Sequence, residues 1–595
     1  MIVEHSGRQR SQTRRKRNGG DDLMAGPIAP RDAEKKRKSF YIMRNKQVAG
    51  SGQPDGTGTQ FIYLNDGRML SSARLVGGIA DEEMLELMTT VEGLRRLVYA
   101  VGVTVEMDEP LTEVGFAFQM YGKTDVYGSG TTIREKVRAD GMEKIIRLEE
   151  VEWSQDDDIP GQIRFEFPKA NQQARVAVRF LLQDGFDAPE PEEENPVDFN
   201  CQEYRDMLKA SLMQTGNNAR VKRAIEKARR GEDVTIAFIG GSITQGAGAI
   251  PINTECYAWK SFERFCRLCG KSTEENIHYV KAGVGGTSSE LGMIRYDRDV
   301  CAEGKVTPDL VIVEYAVNDE GDETKGHCYD SLVRKILLSG QKPGVILLFA
   351  VFADDFNLQD RLSPVGRAYQ LPMVSIKNCV TEQFYRKAGE GRVLSKNQFF
   401  YDSFHPGNYG HTIMADAIGH LLQCIDHASW DEDIEIQNIT APFSAEFEGV
   451  RLLDRRCAEA AENLDCGDFS GTDKELQAVE RNRDLSVTPE FPDNWFHMGG
   501  DRPFCMDIVC SALLIVAKDS ASPMAGCVEA FVDGVKVREI NPREVGWTHC
   551  NALILLRGAE RKQHHVEIRM RQGDEQKQFT ILGFGYVDNG RKKNR

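Results

Sequence analysis

The chain has 595 residues, 41% hydrophobic and 28% charged, the composition of a globular protein and not of a disordered or fibrous one. At roughly 100–200 residues per domain, that length predicts about three to five domains. With 75 Lys+Arg against 91 Asp+Glu the net charge is −16, which disfavours nucleic acid as the main partner. No apolar run reaches the ~18 uninterrupted residues of a membrane span, so no membrane partner is expected either.

Residues 1–55 read as a basic, poorly ordered tail. The first 45 residues hold 12 Lys/Arg against 5 Asp/Glu. A tether to nucleic acid or an anionic surface is the other reading of such a run. No apolar segment follows the basic residues, so the tail is not a secretory signal. The 14 cysteines are then expected as free thiols of a cytoplasmic protein. Cys266 and Cys269 form a CxxC, but Trp259, Phe262 and Phe265 share its helical run and no second CxxC partners it, so core packing is predicted.

Residues 56–186 are predicted to form a β-sandwich. Phe61–Leu64, Leu97–Met107, Val114–Met120, Ile163–Phe167 and Arg175–Leu182 are strand-length runs of apolar and β-branched residues. Residues 187–200 read as a linker, because Pro189, Pro191 and Pro196 stand among a run of acids. Within 201–428, a helical pattern over 202–230 ends in Lys227, Arg229 and Arg230, which suit the negative end of a helix dipole. Short apolar strands then alternate with helices: Thr235–Ile239, Ile277–Lys281, Leu310–Tyr315 and Val345–Val351, closed by a helix over Ile413–Ile425. That alternation predicts an α/β unit with a parallel sheet covered on both faces. Residues 440–590 return to β, with a type I′ hairpin at Asp533-Gly534, and predict a second sandwich.

In a parallel sheet the carboxyl ends of the strands lie on one side, where ligands bind. The first central strand ends in Phe238-Ile-Gly-Gly-Ser-Ile-Thr-Gln-Gly246, the second in Ala282-Gly-Val-Gly-Gly-Thr-Ser288, and the third in Glu314-Tyr-Ala-Val-Asn-Asp319. Asp402-Ser-Phe-His-Pro406 precedes the last helix. Together these supply the parts for acyl transfer. Ser242 is a nucleophile, His405 a base, and Asp402 a group that orients the imidazole. The N–H of Ser242, the N–H of Gly286 and the amide of Asn318 are donors for an oxyanion, each worth about 3 kcal/mol in such sites. His411 is the rival base and reads as structural, while Asp319 is expected to cap or bond backbone. The glycine loops lack the GxGxxG and GxxxxGK[ST] spacings of nucleotide sites, and Thr244 breaks a GxSxG elbow. No metal or other cofactor is called for.

The four segments resemble blocks I, II, III and V of the SGNH (GDSL-type) hydrolase superfamily, in family order. Ser242 matches the block I nucleophile, Gly286 the block II glycine, Asn318 the block III asparagine, and Asp402 and His405 the Asp-x-x-His of block V. Gly241 stands where the family motif has Asp, and Ala316 where Gly is common. The resemblance implies a three-layer α/β/α flavodoxin-like core, here flanked by N- and C-terminal β-sandwich, jelly-roll-like domains. With its flanking β modules the chain resembles bacterial carbohydrate O-acetylesterases of that superfamily. These would release acetate from acetylated, plant-polysaccharide-derived oligosaccharides through an acetyl-enzyme. Tyr257, Trp259 and Tyr315 are candidate sugar-binding aromatics. A lipid or acyl-thioester hydrolase, and a carbohydrate-binding protein with an inactive core, are the alternative readings. Homo-oligomerisation is left open.

Overall fold

The computed structural model describes residues 37–273, 275–475, 477 and 490–588. Residues 1–36 of the predicted tail lie outside them. The remainder of that tail departs from expectation. Ser39–Ala49 (β1) is an edge strand, antiparallel to Gln173–Leu182 (β2), and Phe40, Ile42 and Val48 are buried in the N-terminal core. The strand begins one residue after the Lys35–Lys38 basic run, which masked its alternating apolar residues. The N-terminal unit therefore starts near 39 and not at 56.

That unit packs a four-stranded against a five-stranded antiparallel sheet around one core. Three short helices, Arg68–Leu75, Glu82–Leu87 and Val91–Leu97, fill the stretch between the predicted strand runs Phe61–Leu64 and Leu97–Met107, for which no element was expected. Two carry N-cap signals: the Asp81 carboxylate accepts the N–H groups of Glu83 and Met84, and the Thr90 hydroxyl accepts that of Gly93. The proline-rich linker has no regular structure. It is nevertheless pinned at both sides, by Lys38 to Glu190, by Arg44 to the Glu192 carbonyl (2.6 Å), and by the Asn397 amide to Glu194.

The expected 202–230 helix is two helices, Gln202–Ala210 and Ala219–Arg229, split by the strand Leu212–Gln214 (β3). Gly216, at φ 59°, turns the chain between them. The central sheet continues with Val234–Gly240 (β4), Ile277–Gly283 (β5), Leu310–Glu314 (β6), Gly344–Phe349 (β7) and Met373–Ser375 (β8). Its order is β3-β8-β7-β6-β4-β5, parallel throughout except for β3 at the edge. Successive residues feed opposite faces. Ile236 and Phe238 join the core under the helices Tyr257–Leu268 and Asn408–His427. Ala237 and Ile239 join the core under Ser289–Asp299 and His327–Leu337. The chain leaves β4 for β5 on one side and returns to β6 on the other, which opens a crevice at the carboxyl end of β4.

The C-terminal unit packs two five-stranded antiparallel sheets. Asp533 and Gly534 have φ of 52° and 78°, as a type I′ turn requires. In the strand Ala512–Asp519, Leu513, Ile515 and Ala517 face the sandwich interior, while Ala512, Leu514 and Val516 join the core of the central unit. The two units thus share one hydrophobic layer. All 14 cysteines are free; burial pushes the Cys266 and Cys269 thiols up to about 11 and about 12, as core residues. Among the described residues no helix is long and apolar enough to cross a membrane.

The shared layer predicts that the central and C-terminal units unfold together. Leu514→Ala is expected to cost about 2–5 kcal/mol and to lower one common transition. Denaturant melts followed by probes in both units check this; two separated transitions would sink it.

Candidate active site

The β4 strand ends at Gly240-Gly241, and Ser242 opens a one-turn helix, Ser242–Gln245. A Cβ at position 241 would lie 2.2 Å from Asn318 Oδ1. Glycine there is what leaves room for the Asn318 amide against the turn that carries Ser242, a steric reason for the absence of a side chain at 241. Behind the turn, Thr244 Oγ1 bonds the Tyr257 hydroxyl (2.8 Å) and Glu314 Oε2 (3.3 Å). Burial pushes the Glu314 carboxyl up to about 8, so it keeps its proton at neutral pH.

Ser242, His405 and Asp402 come together. His405 Nε2 lies 2.9 Å from Ser242 Oγ, and its Nδ1 lies 2.9 Å from Asp402 Oδ2. A carboxylate accepts only, so Nδ1 donates to Asp402 and Nε2 is left to accept the serine proton. Asp402 Oδ1 also accepts the backbone N–H groups of Phe404 and His405, both at 2.8 Å. Desolvation alone would raise the Asp402 pKa, but His405 and these two N–H groups hold it below the usual carboxylate value. The loop is closed at its base by a bridge between Phe400 and Pro406 and by Tyr401 N–H to the His405 carbonyl (2.8 Å).

His411 is fully buried behind this site. Its Nδ1 accepts the Tyr257 N–H (3.1 Å) and its Nε2 donates to the Ala247 carbonyl (3.0 Å). Burial drives its pKa down to about 3, so it holds the loop after Ser242 as a neutral imidazole and not as a base. Asp319 caps the helix that begins at Ser289, accepting its N–H (2.7 Å) and hydroxyl (2.8 Å).

Asn318 opens a 3-10 turn directly after β6, and its buried Oδ1 has no protein partner. Gly286 sits in the loop after β5 at φ 72°, a conformation that favours glycine. Its carbonyl accepts from His549 Nε2 (2.9 Å), and His549 Nδ1 meets Asp519 Oδ2 (2.9 Å). Trp547, half-buried and 4.7 Å from the His549 ring, overhangs Gly286: a Cβ there would lie 2.5 Å from the indole. These three residues come from the C-terminal unit. Nothing in their local sequence marks them, since the contact spans 263 positions.

The three aromatics expected to bind sugar do not reach the site's surface. Tyr257 and Tyr315 are fully buried, the first bonded to Thr244 and the second to Arg295 (3.1 Å). Trp259 packs on Phe262 and Tyr279 in the core. Tyr257 and Trp259 lie on the helix Tyr257–Leu268 and Tyr315 directly follows β6, and all three side chains turn inward to fill volume against the sheet. Phe404, 39% exposed, stands between Asp402 and His405 in the loop, edge-on to Phe352 (5.1 Å) and 6.4 Å from the His405 ring, while Trp547 lies against Gly286. Among the described residues one buried group, Glu290, Asp322 and Cys328, has potential metal-ligand atoms within 4.8 Å of one another. Glu290 there bonds Ser288 and the Glu323 N–H, and Asp322 bonds Thr324 and the Gly326 N–H, so local loop contacts account for both carboxylates.

No protein-family model and no curated protein sequence matches the chain. Solved structures do. A two-domain esterase active on acetylated mannans, crystallised with mannopentaose, matches at 24% identity and TM-score 0.54, over 64% of this chain and 99% of that one. The same esterase without the oligosaccharide matches at 24% identity and TM-score 0.53 over the same shares. A family two carbohydrate esterase from Cellvibrio japonicus aligns at 11% identity and TM-score 0.23, over 65% of this chain and 97% of that one. The first two likenesses show a shared fold.

Two outcomes follow from the geometry. Gly241→Ala is expected to displace the Asn318 amide, and Asn318→Ala to remove it. Each should lower kcat by about 10²–10³-fold on any ester this site hydrolyses, with folding intact by circular dichroism. The second concerns pH. The unfolded chain protonates His411 near pH 6.5, whereas the folded chain refuses the proton until about pH 3. Stability should therefore fall as pH drops below 6.5, by up to about 1.4 kcal/mol per unit from this group. Urea midpoints across pH 4–7 should show a shallower slope for His411→Gln than for the unaltered protein.

Proposed function

We propose that the chain is a serine esterase that removes O-acetyl groups from carbohydrate. The observation that carries this reading is the Ser242–His405–Asp402 chain of hydrogen bonds, 2.9 Å at each step, at the open end of β4. His405 takes the Ser242 proton as Oγ attacks the acetyl carbonyl. Asp402 stabilises the imidazolium so formed. The oxyanion of the tetrahedral intermediate is met by the Ser242 N–H, the Gly286 N–H and the Asn318 amide. His405 then protonates the departing sugar hydroxyl, leaving acetyl-Ser242. Water, deprotonated by His405, attacks the acetyl carbonyl, and collapse releases acetate and restores the serine. No step calls on a metal or organic cofactor.

The carbohydrate part of the reading is supported by the shared fold with an esterase whose substrates are acetylated mannans, and by Trp547. An indole face beside the oxyanion loop is a surface on which a pyranose ring stacks. Phe404, with its ring 6.4 Å from that of His405, is a second aromatic beside the triad.

The test is acetate release from a panel of acetylated oligosaccharides, with 4-nitrophenyl acetate and octanoate in parallel. Turnover of acetylated oligosaccharide is expected, with acetate preferred over octanoate. Ser242→Ala should reduce it by on the order of 10⁴-fold or more. Trp547→Ala should raise KM for the oligosaccharide while leaving 4-nitrophenyl acetate nearly unchanged. Preference for octanoate with oligosaccharides untouched would move the protein to lipid or thioester chemistry. Wild-type turnover in Ser242→Ala would remove the serine mechanism.

A further inference from the structure

The loop that holds Asp402 and His405 is gripped from outside its own unit. Lys46, on β1 of the N-terminal sandwich, is 6% exposed, and its ammonium donates to the carbonyls of Asn397 (2.8 Å) and Phe400 (2.6 Å). Phe400 is the base of the loop: it bridges Pro406 and lies two residues before Asp402. The carboxylates of Glu194, in the linker, and of Asp402 itself favour the charged form of Lys46.

The local backbone is shaped to deliver this side chain. The pairing of β1 with β2 slips between Met43 and Lys46, and Asn45 adopts φ 53°. Such a bulge on an edge strand re-aims the residue that follows it. The neighbours reinforce the contact: the Asn397 amide donates to the Arg44 carbonyl (3.2 Å) and to Glu194, and Ser395 Oγ donates to Glu194. A fully dehydrated ammonium is costly to bury, and burial pushes Lys46 down to about 8 against the pull of Glu194 and Asp402. A methionine would fill the same space without that cost, so packing alone does not explain a lysine here.

We propose that Lys46 is a positioning residue for the Asp402–His405 pair, through which the N-terminal unit sets the geometry of the acyl-transfer site. The inference rests on the reading of Ser242, His405 and Asp402 as that site. By fixing the Phe400 carbonyl, Lys46 fixes the start of the turn that carries Asp402. It also places a positive charge where it favours the ionised carboxylate.

The test uses the full chain with Lys46→Met, Lys46→Arg and Lys46→Gln. Kinetics are measured on 4-nitrophenyl acetate, and the far-downfield proton resonance of the His405 Nδ1–H to Asp402 hydrogen bond is followed by NMR. Lys46→Met is expected to lower kcat by about 10- to 100-fold with KM within twofold, because a displacement near 1 Å costs that much in a preorganised site. The resonance should shift or broaden in step. Lys46→Arg, which keeps the charge and the donors, should recover most of kcat. If Lys46→Met does not fold, Lys46→Gln, with an amide donor and no charge, should show a kcat between Met-like loss and the unaltered value. An unchanged resonance and unchanged kcat in a folded Lys46→Met or Lys46→Gln protein would overturn the proposal. The two readings separate cleanly. Retained turnover in Ser242→Ala would defeat the serine mechanism, while the NMR signal alone still decides whether Lys46 positions the pair.

Discussion

The hydrogen bond between Ser242 Oγ and His405 Nε2 joins residues 163 positions apart, and the rest of the structure is organised around keeping it at 2.9 Å. The serine hydroxyl is a weak nucleophile unless a base sits within hydrogen-bond reach. Three strand ends and one helix approach must therefore be fixed to a fraction of an ångström. The parallel sheet does most of this. Register pairs Gly240 with Gly283 on one side and with Glu314 on the other, so the three loops start at the same level. The glycine at 241 then lets the Asn318 amide close against the serine turn.

Two further units brace this centre by different physical means. The C-terminal sandwich is fused to it by a shared apolar layer and reaches the site through the Asp519–His549 pair on the Gly286 carbonyl. Apolar fusion is strong but non-directional, and the His549 hydrogen bond adds the direction that an oxyanion loop needs. The N-terminal sandwich has its own closed core and meets the centre through Leu75, which packs on the central core, and through polar contacts of Lys46, the Arg44 carbonyl and the acidic linker. Contacts of that kind contribute less to stability than apolar burial does, but they define position sharply. The fold shared with a two-domain esterase extends over 64% of the chain, so about a third of it lies beyond that likeness. Fold alone does not name a reaction, and the chemistry here is argued from the site.

Much of the site was legible in the sequence because its residues sit at strand ends beside glycines. Ser242, Gly286, Asn318 and the Asp402/His405 pair were all readable as local patterns, and the structure brings the serine, histidine and aspartate together. Asp319 caps a helix and His411 is structural, as their contexts suggested. The aromatic residues were not legible. Tyr257, Trp259 and Tyr315 lie next to the motifs in sequence, yet helix and strand geometry turns them inward, while Trp547 comes from far along the chain. β1 was lost beneath a basic run, and three short helices went unread in a unit taken as a β-sandwich. In both cases the local alternation or capping signal was present but outweighed by composition.

The sequence by itself determined the alternation that builds the parallel sheet, the glycine breaks that expose the strand ends, and the chemical identity of the groups gathered at the candidate site. Those are short-range properties: side-chain period, backbone freedom and functional group. Only the tertiary structure decided which aromatics lie beside the candidate site, which domain holds the Gly286 loop, and that a lysine from the N-terminal unit grips the loop of Asp402. These depend on contacts across 263 and 354 positions, where the approach of two surfaces is set by the packing of whole units and leaves no local trace.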